Sequence, residues 1–190
     1  MAAPAGGSQG FGPFRLCSHS SKRIRTGEQH MTYTVGDTVV YPHHGAAVIE
    51  RQETRKLLGE ERSYLVLRLT YGDLTIKVPA DQTDEVGLRQ VCDDKEIAKV
   101  ITVLKTRGAK VPTNWSRRFK ANNEKLKGGD IMRVAEVVRD LSLREMDKGL
   151  SAGEKRMLSK ARQVLVSELA AALGKADADA ESYLDDILSD

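Results

Sequence analysis

The residues best suited to chemistry lie around the only tryptophan of the sequence. Trp115 stands beside Arg117, Arg118 and Lys120 at the predicted start of a helix, for which Asn114 offers a cap. A helix N-terminus flanked by cations is suited to binding phosphates, and an exposed ring there could stack on bases or wedge between them. A lone tryptophan in a small domain is also often a core residue. Both interpretations of Trp115, wedge and core, stay open.

A second group of cations belongs to a later predicted helix. Lys155, Arg156, Lys160 and Arg162 lie off the apolar stripe of that helix. A solvated helix face would show the same pattern, so this group alone carries little weight. Together with the tryptophan cluster, it predicts a composite phosphate-binding surface.

The charge of the chain is unevenly distributed around its net value of +3. Residues 110–170 hold 14 basic and 8 acidic side chains. Residues 31–109 hold 11 basic and 12 acidic side chains, and residues 177–190 hold 6 acidic side chains and no basic one. This asymmetry predicts a polyanionic partner for residues 110–170 only. Four of the carboxylates between the two cationic groups are expected on the opposite, solvated face: Glu136, Asp140, Glu145 and Asp147.

A search for enzyme signatures is negative. The sequence has no Gly-x-x-x-x-Gly-Lys-Ser/Thr phosphate loop, no Gly-x-Ser-x-Gly and no His-Glu-x-x-His. His43 and His44 are neighbours in a predicted turn, with no cysteine or further histidine nearby to complete a metal site. Cys17 and Cys92 are far apart and are expected to be free thiols. We therefore predict no catalytic site, metal or cofactor.

The location and the first segment are predicted from composition. No apolar run is long enough to cross a membrane, and residues 1–30 contain no secretory signal, so the cytoplasm is expected. Residues 1–30 show no periodicity and are predicted to be disordered. They are either a functional basic arm or an extension that precedes a true start at Met31.

The middle of the chain changes from the periodicity of strands to that of helices. Residues 31–90 contain short β-branched and alternating runs separated by turns, which predict an antiparallel meander curled into a small barrel. Residues 91–174 contain amphipathic stripes with caps at Asn114, Asp130 and Ser151, which predict a bundle of short helices. Residues 175–190 are predicted as an acidic tail that could include a short helix. The fold class is therefore α+β, with the barrel first.

Four segments match a known family. They read Val-Gly-Asp-Thr-Val-Val-Tyr-Pro-His-His-Gly over 35–45, Pro-Thr-Asn-Trp-Ser-Arg-Arg-Phe-Lys over 112–120, Ala-Glu-Val-Val-Arg-Asp-Leu over 135–141 and Gly-Leu-Ser-Ala-Gly-Glu-Lys-Arg-Met over 149–157. In combination they resemble the CarD transcription regulators of bacteria, over residues 31–188. The first segment alone also occurs in transcription-repair coupling factors, which are large ATP-driven translocases; their motor is not in this sequence.

The resemblance implies a tudor-like barrel that binds the β-subunit of RNA polymerase, and a helical domain that contacts promoter DNA at the upstream edge of the transcription bubble. Such proteins stabilise the open complex and are not enzymes. Carried over by position, Arg55 and Lys77 would lie on the polymerase-binding edge. Trp115 would be the minor-groove wedge; the residues nearest the phosphates would be Arg117, Arg118, Lys120, Lys155 and Arg156.

Two points limit this transfer. The family pattern usually has arginine where this chain has Lys77, and lysine cannot form the same bidentate contact with a carboxylate. The alternative function is a stand-alone architectural DNA-binding protein, which would need no tether and would bind free DNA well. In either case we expect a monomer.

Overall fold

The computed structural model describes residues 33–57, 60–72, 74–108 and 111–189, and it confirms the α+β class. Five strands come first, interrupted by one short helix, and five longer helices follow. The bounds are β1 Thr38–Tyr41, β2 Gly45–Leu57, β3 Glu60–Leu69, β4 Thr75–Pro79, α1 Thr83–Val86, β5 Arg89–Gln90, α2 Asp94–Lys105, α3 Trp115–Lys127, α4 Ile131–Lys148, α5 Ala152–Leu173 and α6 Asp177–Ser189. The expectations for residues 1–30, including Cys17, lie outside the described residues.

The strands form one antiparallel sheet in the order β4-β3-β2-β1-β5. Alternation in β3 places Leu65, Leu67 and Leu69 in a core with Ile49 of β2 and Val78 of β4, as period-two patterning predicts. In the described part of the chain, no ladder joins β4 to β5, so the sheet is open at these two edges. We therefore call it the sheet domain.

The helices begin where the capping residues predict. The side chain of Asn114 accepts a hydrogen bond from the backbone N–H of Arg117, and that of Asp130 accepts one from Met132. Ser151 and Glu154 form a complete capping box at the start of α5. These caps place the first turns of α3 and α5, where the candidate DNA-binding side chains lie.

The last segment, predicted as an acidic tail that could include a short helix, forms the helix α6 and packs in the helical core. Ala180, Leu184, Ile187 and Leu188 of α6 are buried against the other helices. The acidic residues remain outside, and Asp185 pairs with Arg162 of α5 at 2.5 Å. Because Arg162 is paired within the protein, it does not contribute a free positive charge to the cationic group predicted on α5.

Two sets of hydrogen bonds hold the sheet domain against α5. The backbone N–H of Ala46 donates to Ser167 Oγ at 3.1 Å, and a Cβ at Gly45, whose φ is +85°, would overlap that hydroxyl. Arg89 of β5 donates to both carboxylate oxygens of the fully buried Glu168, at 2.5 and 2.8 Å. These bonds fix the position of the sheet relative to the helices.

Candidate nucleic-acid and protein interfaces

Trp115 is exposed at the start of α3. Its relative exposure is 49%, so it does not belong to the core. Its ring stacks on Phe119 with the centroids 5.3 Å apart, and its Nε1–H donates to Ser151 Oγ at 3.2 Å. The ring is therefore held in place by α3 and α5 while much of it faces solvent. Such a side chain can stack or insert without first unpacking a core.

A buried ion pair underlies this exposed ring. Ser151 Oγ donates to Glu154 Oε2 at 2.8 Å, and Glu154 Oε1 accepts from Nε and Nη2 of Arg118 at 2.8 and 2.7 Å. Burial by itself would raise the pKa of the Glu154 carboxyl, but hydrogen bonds from Arg118 and Ser151 offset burial and lower the pKa below its ordinary value. Glu154 is thus ionised. Through Ser151 it connects the exposed Trp115 ring to the buried Arg118.

The structure removes Arg118 from the predicted phosphate contacts. Its relative exposure is 2%, and its Nη1 donates to the backbone oxygens of Pro112 and Thr113, each at 3.1 Å. With Nε and Nη2 directed to Glu154, four of its five N–H donors are used, and burial keeps the side chain from a phosphate. Asp140 also differs from expectation, because it is buried against Arg139 at 2.6 Å instead of lying on a solvated face.

The other four predicted cations are available. Arg117, Lys120, Lys155 and Arg156 are exposed, and within the described residues none of them forms an ion pair. Arg117 and Lys120 lie in the first turns of α3 beside Trp115, and Lys155 and Arg156 lie in the first turns of α5. Unpaired cations around an exposed aromatic ring produce a positive surface suited to a polyanion. We name this set, with Trp115, the tryptophan surface.

A different arrangement of charge covers the outer face of the sheet. Glu53 of β2 accepts from Lys77 Nζ at 2.8 Å and from Arg51 Nε at 2.8 Å, and Arg55 Nη2 lies 3.3 Å from Glu53 Oε2. Hydrogen bonds from Lys77 and then from Arg51 lower the pKa of Glu53 to about 2. The structure therefore brings Arg55 and Lys77 together around one carboxylate; we name these four residues the Glu53 cluster.

The Glu53 cluster borders an edge of the sheet. Lys77 lies in β4, which among the described residues pairs only with β3. One side of the β4 backbone thus has no strand beside it. A protein partner could add a strand there and contact the Glu53 cluster with its side chains.

Other kinds of site find little support in the described part of the chain. No group of three potential metal ligands occurs there, and no helix there is long and apolar enough to cross a membrane. Cys92 is a free thiol, as predicted, and burial followed by the charge of Glu168 raises its pKa to about 12. A thiol in that state is a poor nucleophile.

Comparisons with known proteins match both halves of the chain. Residues 33–92 match the model described as CarD-like/TRCF RID domain, and residues 99–185 match CarD, C-terminal domain. A protein of Bacillus subtilis named "Putative transcription factor YdeB" is 33% identical over 151 residues, which cover 80% of this chain and 99% of that protein. The two matched regions coincide with the sheet domain and the helical domain.

Proposed function

The chain belongs to the CarD family of transcription regulators, and we propose that it binds RNA polymerase and promoter DNA together. In this proposal the sheet domain binds the β-subunit of the polymerase. The helical domain contacts DNA at the upstream edge of the transcription bubble and stabilises the open complex. The protein acts by binding alone, without catalysis or a cofactor, as a cytoplasmic monomer.

The polymerase contact is supported by the matched domain and by the β4 edge. Arg55 and Lys77 lie beside that edge and are held by Glu53. A partner carboxylate could replace Glu53 as their acceptor, so the contact would depend on geometry more than on net charge. Because Lys77 presents one ammonium where the family usually has a guanidinium, Arg55 is the stronger candidate for a bidentate bond.

The observation that carries the DNA contact is the exposed, tethered ring of Trp115 among unpaired cations. Arg117, Lys120, Lys155 and Arg156 would contact phosphates and hold the duplex against the ring. Unstacking a base step requires roughly a few kcal/mol, and an inserted ring offsets this only while the step is open. The tryptophan surface therefore favours melted over closed DNA.

Trp115→Ala tests the proposal directly. Because the ring is half exposed, the substitution should leave the melting temperature nearly unchanged, unlike the loss of ~3–5 kcal/mol for a buried tryptophan. Polymerase affinity should be normal. The open complex should decay faster, by about tenfold for each 1.4 kcal/mol that the ring contributes to the open state. Thermal unfolding, polymerase binding and open-complex decay would be measured on one preparation.

Trp115→Phe is the matched control, since it keeps an aromatic ring and removes the hydrogen bond to Ser151. It should retain part of the lifetime that the alanine variant loses. An unchanged decay rate for Trp115→Ala at full occupancy would overturn the wedge. Tight binding of the free protein to duplex DNA, with no affinity for polymerase, would favour the stand-alone architectural function instead.

A further inference from the structure

A groove of about 640 Å³ separates the sheet domain from α5. Its sheet wall consists of His43 and His44 in the β1–β2 connection and of Tyr71 and Leu74 in the β3–β4 connection. Tyr71 and Leu74 have relative exposures of 55% and 51%, and neither belongs to a buried cluster. The sheet wall thus presents an aromatic ring and an aliphatic side chain to solvent, as binding surfaces do.

The helix wall of the groove is cationic. It includes Lys155, Arg156 and Lys160, all exposed, and none of the described residues that line the groove is a carboxylate. The nearby Glu154 is directed inward to Arg118 and does not neutralise them. Within the described ranges, none of the three cations has an ion pair. The groove therefore has a net positive charge on one side and an aromatic ring on the other.

The groove continues the tryptophan surface. Ser151, which holds the Trp115 ring, immediately precedes α5, and Gln163 lines the far part of the groove. Twelve residues of helix separate these positions, which corresponds to about 18 Å at about 1.5 Å per residue. A nucleic-acid strand advances about 3.4 Å per nucleotide when stacked, so this length accommodates about five nucleotides.

We propose that the groove binds a single strand of DNA that continues from the duplex held at Lys155 and Arg156, with a phosphate on Lys160 and a base stacked on Tyr71. A positive groove with an exposed aromatic ring is the combination that binds single strands without sequence preference. In a duplex the bases are stacked on one another, so none is free for Tyr71. This inference rests on the proposed function, because the strand would be the one released where Trp115 opens the duplex.

Two substitutions separate the groove from the wedge. Tyr71→Ala and Lys160→Glu both change exposed side chains that the proposed wedge does not use. Fluorescence anisotropy of the full chain at low salt would measure binding to a labelled single strand of about twelve nucleotides and to the matching duplex. Lys99→Glu is the control, since Lys99 is an exposed lysine of α2 that does not line the groove.

We expect Tyr71→Ala to weaken single-strand binding by at least about fivefold and to leave duplex binding unchanged. Lys160→Glu should weaken single-strand binding and reduce the slope of log affinity against log salt by about 0.7, one phosphate's share. Lys99→Glu should bind like the wild type, and melting temperatures should not change for any variant.

Several results would overturn the groove. One is that the wild-type protein binds neither probe. Another is that Tyr71→Ala weakens duplex binding as much as single-strand binding. A third is that Lys99→Glu weakens binding as much as Lys160→Glu does. If the groove variants behave like the wild type while Trp115→Ala shortens the open complex, the groove is wrong and the proposed function stands. If the groove selects single strands but the protein does not bind polymerase, the proposed function is wrong and the groove stands.

Discussion

The Glu53 cluster and the tryptophan surface use the same residue types in opposite ways. On the sheet, Arg51, Arg55 and Lys77 converge on one carboxylate of the same protein. On the helices, the four cations of the tryptophan surface have no carboxylate partner among the described residues, and Glu154 is buried with Arg118. The two surfaces thus differ in whether their cations are paired within the protein, more than in how many cations they hold. The paired cations of the Glu53 cluster suit a protein partner with a carboxylate in the right position, and the unpaired cations of the tryptophan surface suit a polyanion.

This difference predicts different responses to salt and to charge. Exposed ion pairs contribute little to stability, so a partner can replace them on the sheet at low cost. Contacts between unpaired cations and phosphates release counterions and weaken steeply as salt rises. Polymerase binding should therefore change less with salt than DNA contact does.

The largest effect is expected for Arg118, because the contrast between the surfaces assumes that this cation is structural. Arg118→Ala removes the closer of the two cations beside the buried Glu154, leaving Arg144 Nε at 3.8 Å, and should lower the free energy of unfolding by ~3–5 kcal/mol. Arg117→Ala, at the exposed neighbouring position, should change it by less than about 0.5 kcal/mol. Urea denaturation measures both. Equal effects would show that the buried pair does not form as described.

The next effect concerns the sheet. Arg55→Glu places two carboxylates together in the Glu53 cluster and should weaken binding to the polymerase β-subunit by at least about thirtyfold, or ~2 kcal/mol. The neighbouring Lys56→Glu is the matched control, since successive strand residues point to opposite faces. Affinity for an isolated β-subunit fragment would be measured by calorimetry. Normal affinity for Arg55→Glu would contradict the docking assignment.

A smaller effect is expected where the two parts of the tryptophan surface meet. Ser151→Ala removes the acceptor of the Trp115 Nε1–H and one cap of α5, at a cost of about 1 kcal/mol. Since Trp115 is the only tryptophan, its fluorescence reports the ring directly. Emission should shift to longer wavelength, and quenching by iodide should increase. Ser116→Ala is the control, because Ser116 follows Trp115 in the chain but does not accept its Nε1–H. It should leave the spectrum unchanged. A shift for Ser116→Ala, or no shift for Ser151→Ala, would contradict the tether.

The smallest effect concerns the pH dependence of the Glu53 cluster. Because the pKa of Glu53 in the folded protein is about 2, below its ordinary value of 4.5, its contribution to stability is complete above about pH 4.5. That contribution disappears as the pH falls through about 2. An NMR titration of the Glu53 carboxyl should have its midpoint near 2 and move upward in Lys77→Ala. A wild-type midpoint near 4.5 would show that the cluster is not formed in solution.

Features that depend on neighbours in the sequence can be predicted. The caps at Asn114, Asp130 and Ser151 are local motifs, and the alternation of Leu65, Leu67 and Leu69 is a property of one strand. The exposure of Trp115 cannot be predicted in this way, because a lone aromatic residue fits either a core or a surface. The position of the ring at the first residue of α3 decides between them.

Features that depend on distant partners cannot be predicted. Arg118 and Glu154 are 36 residues apart, and no pattern within α3 shows that a carboxylate will meet this arginine. The burial of Arg118, though not its partner, is indicated by spacing. Arg118, Asn122 and Leu126 follow one another at intervals of four residues, which places Arg118 on the same face of α3 as the apolar Leu126. A short helix within residues 175–190 could be predicted, but its place in the core could not, because the partners that bury its four apolar side chains belong to other helices.

The contact of Gly45 with Ser167 bears on how this protein can be recombined. A side chain at position 45 would need the space of that hydroxyl, and Arg89 needs Glu168 as its acceptor. Each half of the chain is thus shaped to fit the other half, although more than seventy residues of sequence separate the matching positions. A chimaera that exchanges the sheet domain alone between relatives would lose the fit between the two domains. A chimaera that keeps Ser167 and Glu168 together with Gly45 and Arg89 would preserve that fit.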